Sequence, residues 1–286
     1  MKTKLILNIE ESKTNIIISK PFIKWAGGKR QLIKELIKLL PANYNRYFEP
    51  FIGGGALFFA IQPKNAYISD INPELINLYN VVKNDVDLLI NDLIKYKNTE
   101  DYFYKIRNLD IKPSYKKFSK VRKASRFIYL NKTCYNGLYR TNSKGYFNVP
   151  FGSYKNPNII DKQNLKACSE LLKKTEIVSS HFLAIENEIK TGDFVYFDPP
   201  YIPINKTSSF TKYYKDDFNI DEQIKLKELC DRLTKKNIYF MLSNSYSKLI
   251  LNLYKQYNIK KIKATRTINS KANKRGAINE LIITNY

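Results

Sequence analysis

Apolar positions change their spacing several times along the chain, and each change marks an element. In "QLIKELIKLLP" Leu32, Ile33, Leu36, Ile37 and Leu40 recur at helical spacing, and Pro41 cannot continue the helix they predict. "RYFEPFIGGGALFFAI" reads as a short strand, a glycine turn and a buried helix. "NAYISD" predicts another strand with Asp70 at its tip, and Asn72 is placed to cap a helix whose first residue is Pro73. From Tyr79 to about Asn156 the strand–helix alternation lapses, and aromatics and lysines crowd together. Two turn signals, Asn136-Gly137 and Lys144-Gly145, lie there between aromatic residues and predict a hairpin. The alternation then returns: "TEIVSSHF", "DFVYFDPP", "NIYFMLSNS" and "LIITNY" predict strands, and "DEQIKLKELCDRLTKK" predicts a helix. A discontinuous α/β domain interrupted by a basic, aromatic insert accounts for this order.

Composition narrows the function classes. The chain has 286 residues, 43% of them hydrophobic, enough to bury a core and too many for a disordered chain. Its 49 Lys and Arg against 26 Asp and Glu give a net charge of +23, which points to a phosphate-bearing partner. An AT-rich genome enriching Lys, Asn, Ile and Tyr would give a similar surplus, so charge alone leaves two readings. Cys134, Cys168 and Cys230 form no close pair, and His181 has no metal-ligand neighbours, which argues against a zinc site or a disulfide framework. No apolar run reaches the roughly 18 residues of a membrane helix, and "MKTKLILNIEESK" lacks the core of a secretory signal. A cytoplasmic protein without a membrane partner is expected. Residues 1–20 read either as an extra strand or as partly disordered.

Three stretches carry candidate chemistry. Gly53 to Gly55 separate a strand from a helix, where a missing Cβ lets a ligand approach the backbone. Asp70 follows Gly53 by 17 positions at the next strand's end, and an acid about 20 residues on accepts ribose hydroxyls in nucleotide-binding sheets. Together they predict an adenosine-type ligand. "WAGGKR" is a second glycine turn but not a phosphate-gripping loop, because Lys29 is followed by Arg30 rather than Ser or Thr. Trp25, the chain's single tryptophan, either packs in the core or covers a ligand's apolar face. The third stretch is "DFVYFDPPYIP", in which a strand ends in an acid, two prolines and a tyrosine. An Asp before Pro often only starts a turn. As a site, Asp198 and the Pro199 carbonyl each accept a hydrogen bond from a nucleobase amine, directing its lone pair at an electrophile, while Tyr201 stacks on the base.

"FIKWAGGK", "EPFIGGGAL", "SDIN", "NGLYRTNSKGYFNVPFG" and "FDPPY", in that order, resemble the bacterial DNA adenine methyltransferases that methylate GATC. The resemblance spans Pro21 to Tyr286 and takes in "FTKYYKDDFNIDEQIKL" and "RTINSKANKRGAINELIITNY". It implies a Rossmann-like methyltransferase sheet with an inserted, mostly helical target-recognition domain containing a β-hairpin. Residues 1–72 and 157–286 are expected to form the catalytic domain, and residues 73–156 the insert. It also implies S-adenosylmethionine as methyl donor, no metal, and transfer to the exocyclic amine of adenine in double-stranded DNA by base flipping. Trp25, Lys29, Phe51, Gly53, Gly55, Asp70 and Asp198 match cofactor-binding positions, and Asp198, Pro199 and Tyr201 the catalytic motif. In the insert, Tyr135 matches a residue that wedges beside the displaced base, with Asn136 and Leu138 flanking it. Arg140 and Lys24 match residues that contact guanines, and Tyr154 another recognition contact.

Alternatives at this point are a cytosine-amino or RNA-adenine methyltransferase, a nucleotide-dependent oxidoreductase, and a DNA-binding protein without activity. The oxidoreductase has no use for Asp-Pro-Pro-Tyr. Intact Asp70, Asp198 and Tyr201 speak against the inactive protein. The basic stretch "NSKANKRGA" either touches phosphate or is merely solvated. Whether a companion restriction endonuclease shares the site, without stable contact, stays open.

Overall fold

The structure, a computed structural model, describes residues 19–201, 218–265 and 277–286. The leader up to residue 18 and the basic stretch over 266–276 lie outside the described residues, so the two readings offered for each are untouched.

Chain order is α1 (Ile33–Lys38), β1 (Tyr47–Glu49), α2 (Ala56–Ile61), β2 (Ala66–Asp70), α3 (Pro73–Asn84), α4 (Val86–Leu93), α5 (Glu100–Arg107), α6 (Lys120–Thr133), α7 (Lys162–Leu172), β3 (Thr175–Ser179), β4 (Phe194–Phe197), α8 (Ile220–Lys235), β5 (Tyr239–Ser245), α9 (Lys248–Leu253), β6 (Asn258–Thr265) and β7 (Ala277–Thr284). The strands form one sheet in the order β3-β2-β1-β4-β5-β7-β6. The first five are parallel, and β7 runs antiparallel between β5 and β6. Helices cover both faces, which is why β4 is apolar without alternation: Phe194, Val195, Tyr196 and Phe197 are all buried. One apolar cluster joins the sheet to α2, α3, α6 and α7; the other joins its opposite face to α8 and α9.

Strand order fixes where a site can lie. The chain builds outward from β1 through β2 to β3, then crosses back to start β4 on β1's other side. Parallel strands flanking such a reversal leave a crevice beyond their carboxyl ends. Glu49 ends β1, Asp70 ends β2 and Asp198 follows β4.

The capped helix start is seen as expected: the Asn72 side chain accepts from the amides of Glu74 and Leu75, with Pro73 at the first helical position. The expected domain boundary at residue 73 falls on that first residue of α3, and Leu75, Leu78, Tyr79 and Val82 of this helix lie in the core shared with the sheet. Beyond it the chain is mostly helical. The Lys144-Gly145 turn closes a short hairpin, held by the Asn148 amide on the Arg140 carbonyl at 3.0 Å and the Asn142 amide on the Tyr146 carbonyl at 2.8 Å. No helix among the described residues is long and apolar enough to cross a membrane.

Candidate active site

Beyond β4 the chain runs through Asp198 and Pro199 to Tyr201, and two distant segments meet it. Lys29 Nζ lies 2.7 Å from Asp198 Oδ1 and 3.9 Å from Glu280 Oε2, and it donates to the Gly27 carbonyl at 2.8 Å. Lys29 is only 4% exposed and Glu280, on β7, only 8%. The Tyr201 hydroxyl donates to Glu280 Oε2 at 2.8 Å, and the Lys29 ammonium sits 4.7 Å from the centre of the Tyr201 ring. Two carboxylates thus share one buried ammonium, with the tyrosine braced against both. Burial raises the Asp198 carboxyl above its ordinary range, opposed by Lys29 and reinforced by the Glu280 charge.

Glu49, 2% exposed, accepts from the Tyr47 hydroxyl at 2.6 Å. Burial pushes its carboxyl up to about 8, against the Tyr47 hydrogen bond and with help from the Asp198 charge. Between its ordinary range and 8 the folded chain therefore holds a proton that the unfolded chain has lost. Stability from this group is full in acid and fades as pH rises through about 8. Glu49→Gln, which mimics the protonated form, is expected to melt above wild type at pH 8.5 and to lose that advantage toward pH 5. Parallel melting curves across that range check it; a constant difference would rule the titration out.

The first glycine-rich turn and the second strand tip converge beside this network. Asp70 accepts from the Gly53 amide at 3.1 Å and the Asn72 amide at 3.0 Å, and burial pushes its carboxyl up to about 6. Gly53 has φ +44°, and a Cβ there would lie 2.6 Å from Trp25 Cδ1, so only glycine lets the indole cover the turn. Trp25 also stacks on Tyr139 at 5.6 Å and Phe127 at 6.3 Å, contacts of the packing kind among the two readings offered for it. Phe51 and Gly55 belong to the same β1–α2 loop; the Phe51 ring stacks on Phe182 at 5.3 Å, and Gly55 opens α2.

A second cluster gathers the residues read from the insert. Asn131 holds the Lys24 backbone from both sides, accepting from its amide at 2.9 Å and donating to its carbonyl at 2.8 Å, and also donates to the Gly137 carbonyl at 2.9 Å. The Lys24 side chain crosses Gly137, where a Cβ would collide with Lys24 Cδ, and its ammonium sits 5.2 Å from the Tyr154 ring centre. The Tyr154 hydroxyl accepts from the Asn136 amide at 3.0 Å. Tyr135 stands out at 51% exposure, whereas Leu138 packs partly into the core. Arg140 Nε donates to Asn148 Oδ1 at 2.7 Å and Nη2 to the Asn148 carbonyl at 3.2 Å, which fixes its direction.

Residues 25–268 match the family model of the D12 class of N6 adenine-specific DNA methyltransferases. The chain belongs to that family. This D12 methyltransferase is 45% identical over 282 residues to the Type II methyltransferase M1.LlaDCHI of Lactococcus lactis subsp. cremoris, covering 97% of this chain and 98% of that protein. It is 47% identical over 287 residues to the Type II methyltransferase M.MjaIII of Methanocaldococcus jannaschii, covering 93% and 99%. To the DNA adenine methylase of Escherichia coli (strain K12) it is 32% identical over 274 residues, covering 92% and 94%. The resemblance read from the motifs thus holds at the family level, and the enzyme is an adenine-specific DNA methyltransferase rather than a cytosine-amino or RNA-adenine enzyme or an oxidoreductase.

Sequence reading missed three residues of these clusters. Glu280 left one signal: it is the sole acid after Asp231, in a stretch rich in Lys and Arg. Glu49 left a weak signal as the acid that opens "EPFIGGGAL". Asn131 left none, since its partners lie 107 positions away and across a turn.

Proposed function

We propose that the enzyme methylates the N6 amine of adenine within GATC in duplex DNA, using S-adenosylmethionine and turning the target base out of the stack. The observation that supports this most is that the turn carrying Trp25, which packs on Gly53 beside Asp70, also carries the Lys29 that holds Asp198 beyond the carboxyl end of β4. The residues present suit that donor: Asp70 offers carboxylate oxygens for ribose hydroxyls, and Trp25, seated on Gly53, offers an apolar wall. Lys29, Phe51 and Gly55 complete this reading as further contacts of the donor. When bound, the donor supplies an electrophilic methyl group.

The chain's own part is positioning. Asp198 accepts one amine hydrogen and the Pro199 carbonyl the other, which frees the nitrogen lone pair from the ring and aims it along the crevice. Lys29, at 2.7 Å, offsets the cost of burying the Asp198 charge and keeps it an acceptor. The Tyr201 ring stacks on the base, a contact worth roughly 1–3 kcal/mol. Turning a base out costs a few kcal/mol; the exposed Tyr135 fills the place it leaves, with Asn136 and Leu138 shaping the turn behind it. Arg140 reads a guanine edge, and Lys24 and Tyr154 add contacts on the same surface. The reading includes a cytoplasmic location and a modification role beside a companion restriction endonuclease, with which the type II designation of two relatives is in line.

Tritium transfer from labelled S-adenosylmethionine to duplexes differing only at GATC tests the reading. Label is expected in N6-methyladenine of GATC duplexes alone; equal label on scrambled duplexes would sink the specificity, and none from this donor would sink the cofactor. Arg140→Ala is expected to cut the preference for GATC over a site with one changed guanine roughly 10- to 100-fold, the worth of a bidentate base contact. Competition between the two duplexes measures it; an unchanged preference with weaker binding to both would make Arg140 a phosphate contact.

A further inference from the structure

A concave pocket separate from the strand-end crevice opens between the Lys20–Phe22 segment, α6 and the start of α7, and encloses about 230 Å³. Three cations line it: Lys20, Arg30 and Lys132, the last from α6. The single acid in its lining is Asp161, and that acid is already engaged. It caps α7 by accepting from the Asn164 amide at 3.1 Å and lies 3.6 Å from Lys20 Nζ.

The walls are built rather than incidental. Asn164 accepts from the Lys20 amide at 2.9 Å and donates to the Lys20 carbonyl at 2.9 Å. Asn131 makes the same two-way clip on Lys24, four residues on. The stretch from Lys20 to Lys24 is thereby pinned to α7 at one end and to α6 at the other. Arg30 Nη2 donates to the Pro21 carbonyl at 3.2 Å, which holds the guanidinium at the rim.

Lys20 and Arg30 stand exposed at the rim and Lys132 is half-buried behind them, where water screens like charges less than on an open surface. The Lys132 ammonium registers this: burial, then Arg30 and Lys24, hold it below the usual lysine range, with only Asp161 acting the other way. An anion in the hollow would relieve that repulsion. The volume is several times the ≈30 Å³ share of one water, so it admits a phosphodiester. Asn131, beside Lys132 on α6, holds both Lys24 and Gly137 of the recognition cluster, and the Lys24 charge reaches Lys132, so the pocket adjoins the surface proposed to seat the duplex.

We propose that this pocket grips one backbone phosphate of the bound duplex, with Lys132, Arg30 and Lys20 as its cationic wall. It contributes affinity and register but no sequence information.

Fluorescence anisotropy of the full chain on duplexes with and without GATC, across a salt series, tests it. Lys132→Ala and Arg30→Ala are each expected to weaken both duplexes alike, about 3- to 10-fold near 0.1 M salt, and together to lower the salt slope by about 1, as for one lost phosphate contact. Lys132→Arg is expected to keep the slope, and Lys173→Ala, an exposed cation at the far end of α7, to match wild type. A duplex carrying one neutral methylphosphonate, scanned along each strand, is expected to contain one position that erases the difference between wild type and Lys132→Ala. Unchanged slope and affinity in the folded double variant, checked by its melting curve, would overturn the proposal. So would a loss confined to GATC duplexes, which would make these residues base readers. Thermal stabilisation by inorganic phosphate that needs Lys132, with DNA affinity unaltered, would instead mark a small-anion site.

Discussion

Replacing Asp198 with asparagine is expected to lower single-turnover methyl transfer about 10²- to 10³-fold, the scale of removing one preorganised electrostatic contact at a reacting centre. The amide keeps the shape of the carboxyl and one acceptor oxygen, but its negative charge is gone, and its NH₂ can turn a donor toward an amine that itself donates. Alanine at the same position removes both acceptors and is expected to lose activity further. It also strips a 4%-exposed Lys29 of its 2.7 Å partner, leaving Glu280 at 3.9 Å as the remaining carboxylate near it. Breaking a buried pair from one side costs more than the pair contributes, so alanine is expected to lower the melting temperature and asparagine to lower it less. Transfer rate and melting temperature measured on both variants separate chemistry from folding. A rate for Asp198→Asn within tenfold of wild type would remove Asp198 from the proposed role.

Glu280 gives the second large effect. Its carboxylate accepts from Tyr201 and shares Lys29 with Asp198, so it acts on the site through those two side chains. Glu280→Gln keeps an oxygen for the Tyr201 hydroxyl and removes the charge. Its expected signature is a fall in kcat of about tenfold or more with little change in KM for DNA. Glu280→Ala also leaves the Tyr201 hydroxyl without its acceptor, a loss of about 1–3 kcal/mol for a buried polar group. Its ring is then no longer braced, and KM for DNA is expected to rise as well. A kcat-against-KM comparison of the two variants checks this split, and wild-type kinetics in Glu280→Ala would show that the β7 acid has no part in positioning. Paired with Lys29→Met, Glu280→Gln is expected to be non-additive, because both variants disrupt one shared ammonium.

Elements with a local cause were legible in the chain. The cap formed by Asn72 and Pro73 needs partners only two and three residues away, and β4 announces itself through an unbroken buried run. Elements whose pattern is diluted were not. β6 reads "NIKKIKAT", whose lysines obscure the strand's alternation while keeping the sheet edge charged. α7 and α9 were likewise not legible; α7 mixes polar residues among Leu165, Cys168 and Leu172, and its clip onto Lys20 spans 144 positions.

By itself the sequence determined the chemical parts: an acid with a proline carbonyl and a tyrosine at one strand end, a glycine turn with an acid 17 positions later, and a basic aromatic hairpin. These rest on interactions spanning a few residues, which neighbouring side chains and backbone geometry set directly. Only the tertiary structure decided that Lys29 lies between Asp198 and Glu280, that Tyr201 reaches across 79 positions to Glu280, and that Asn131 joins Lys24 to Gly137. The insertion of β7 between β5 and β6 brings its acid to the same end of the sheet as β4. Which distant groups meet there is a property of the assembled sheet, because only packing the whole core fixes the path between them.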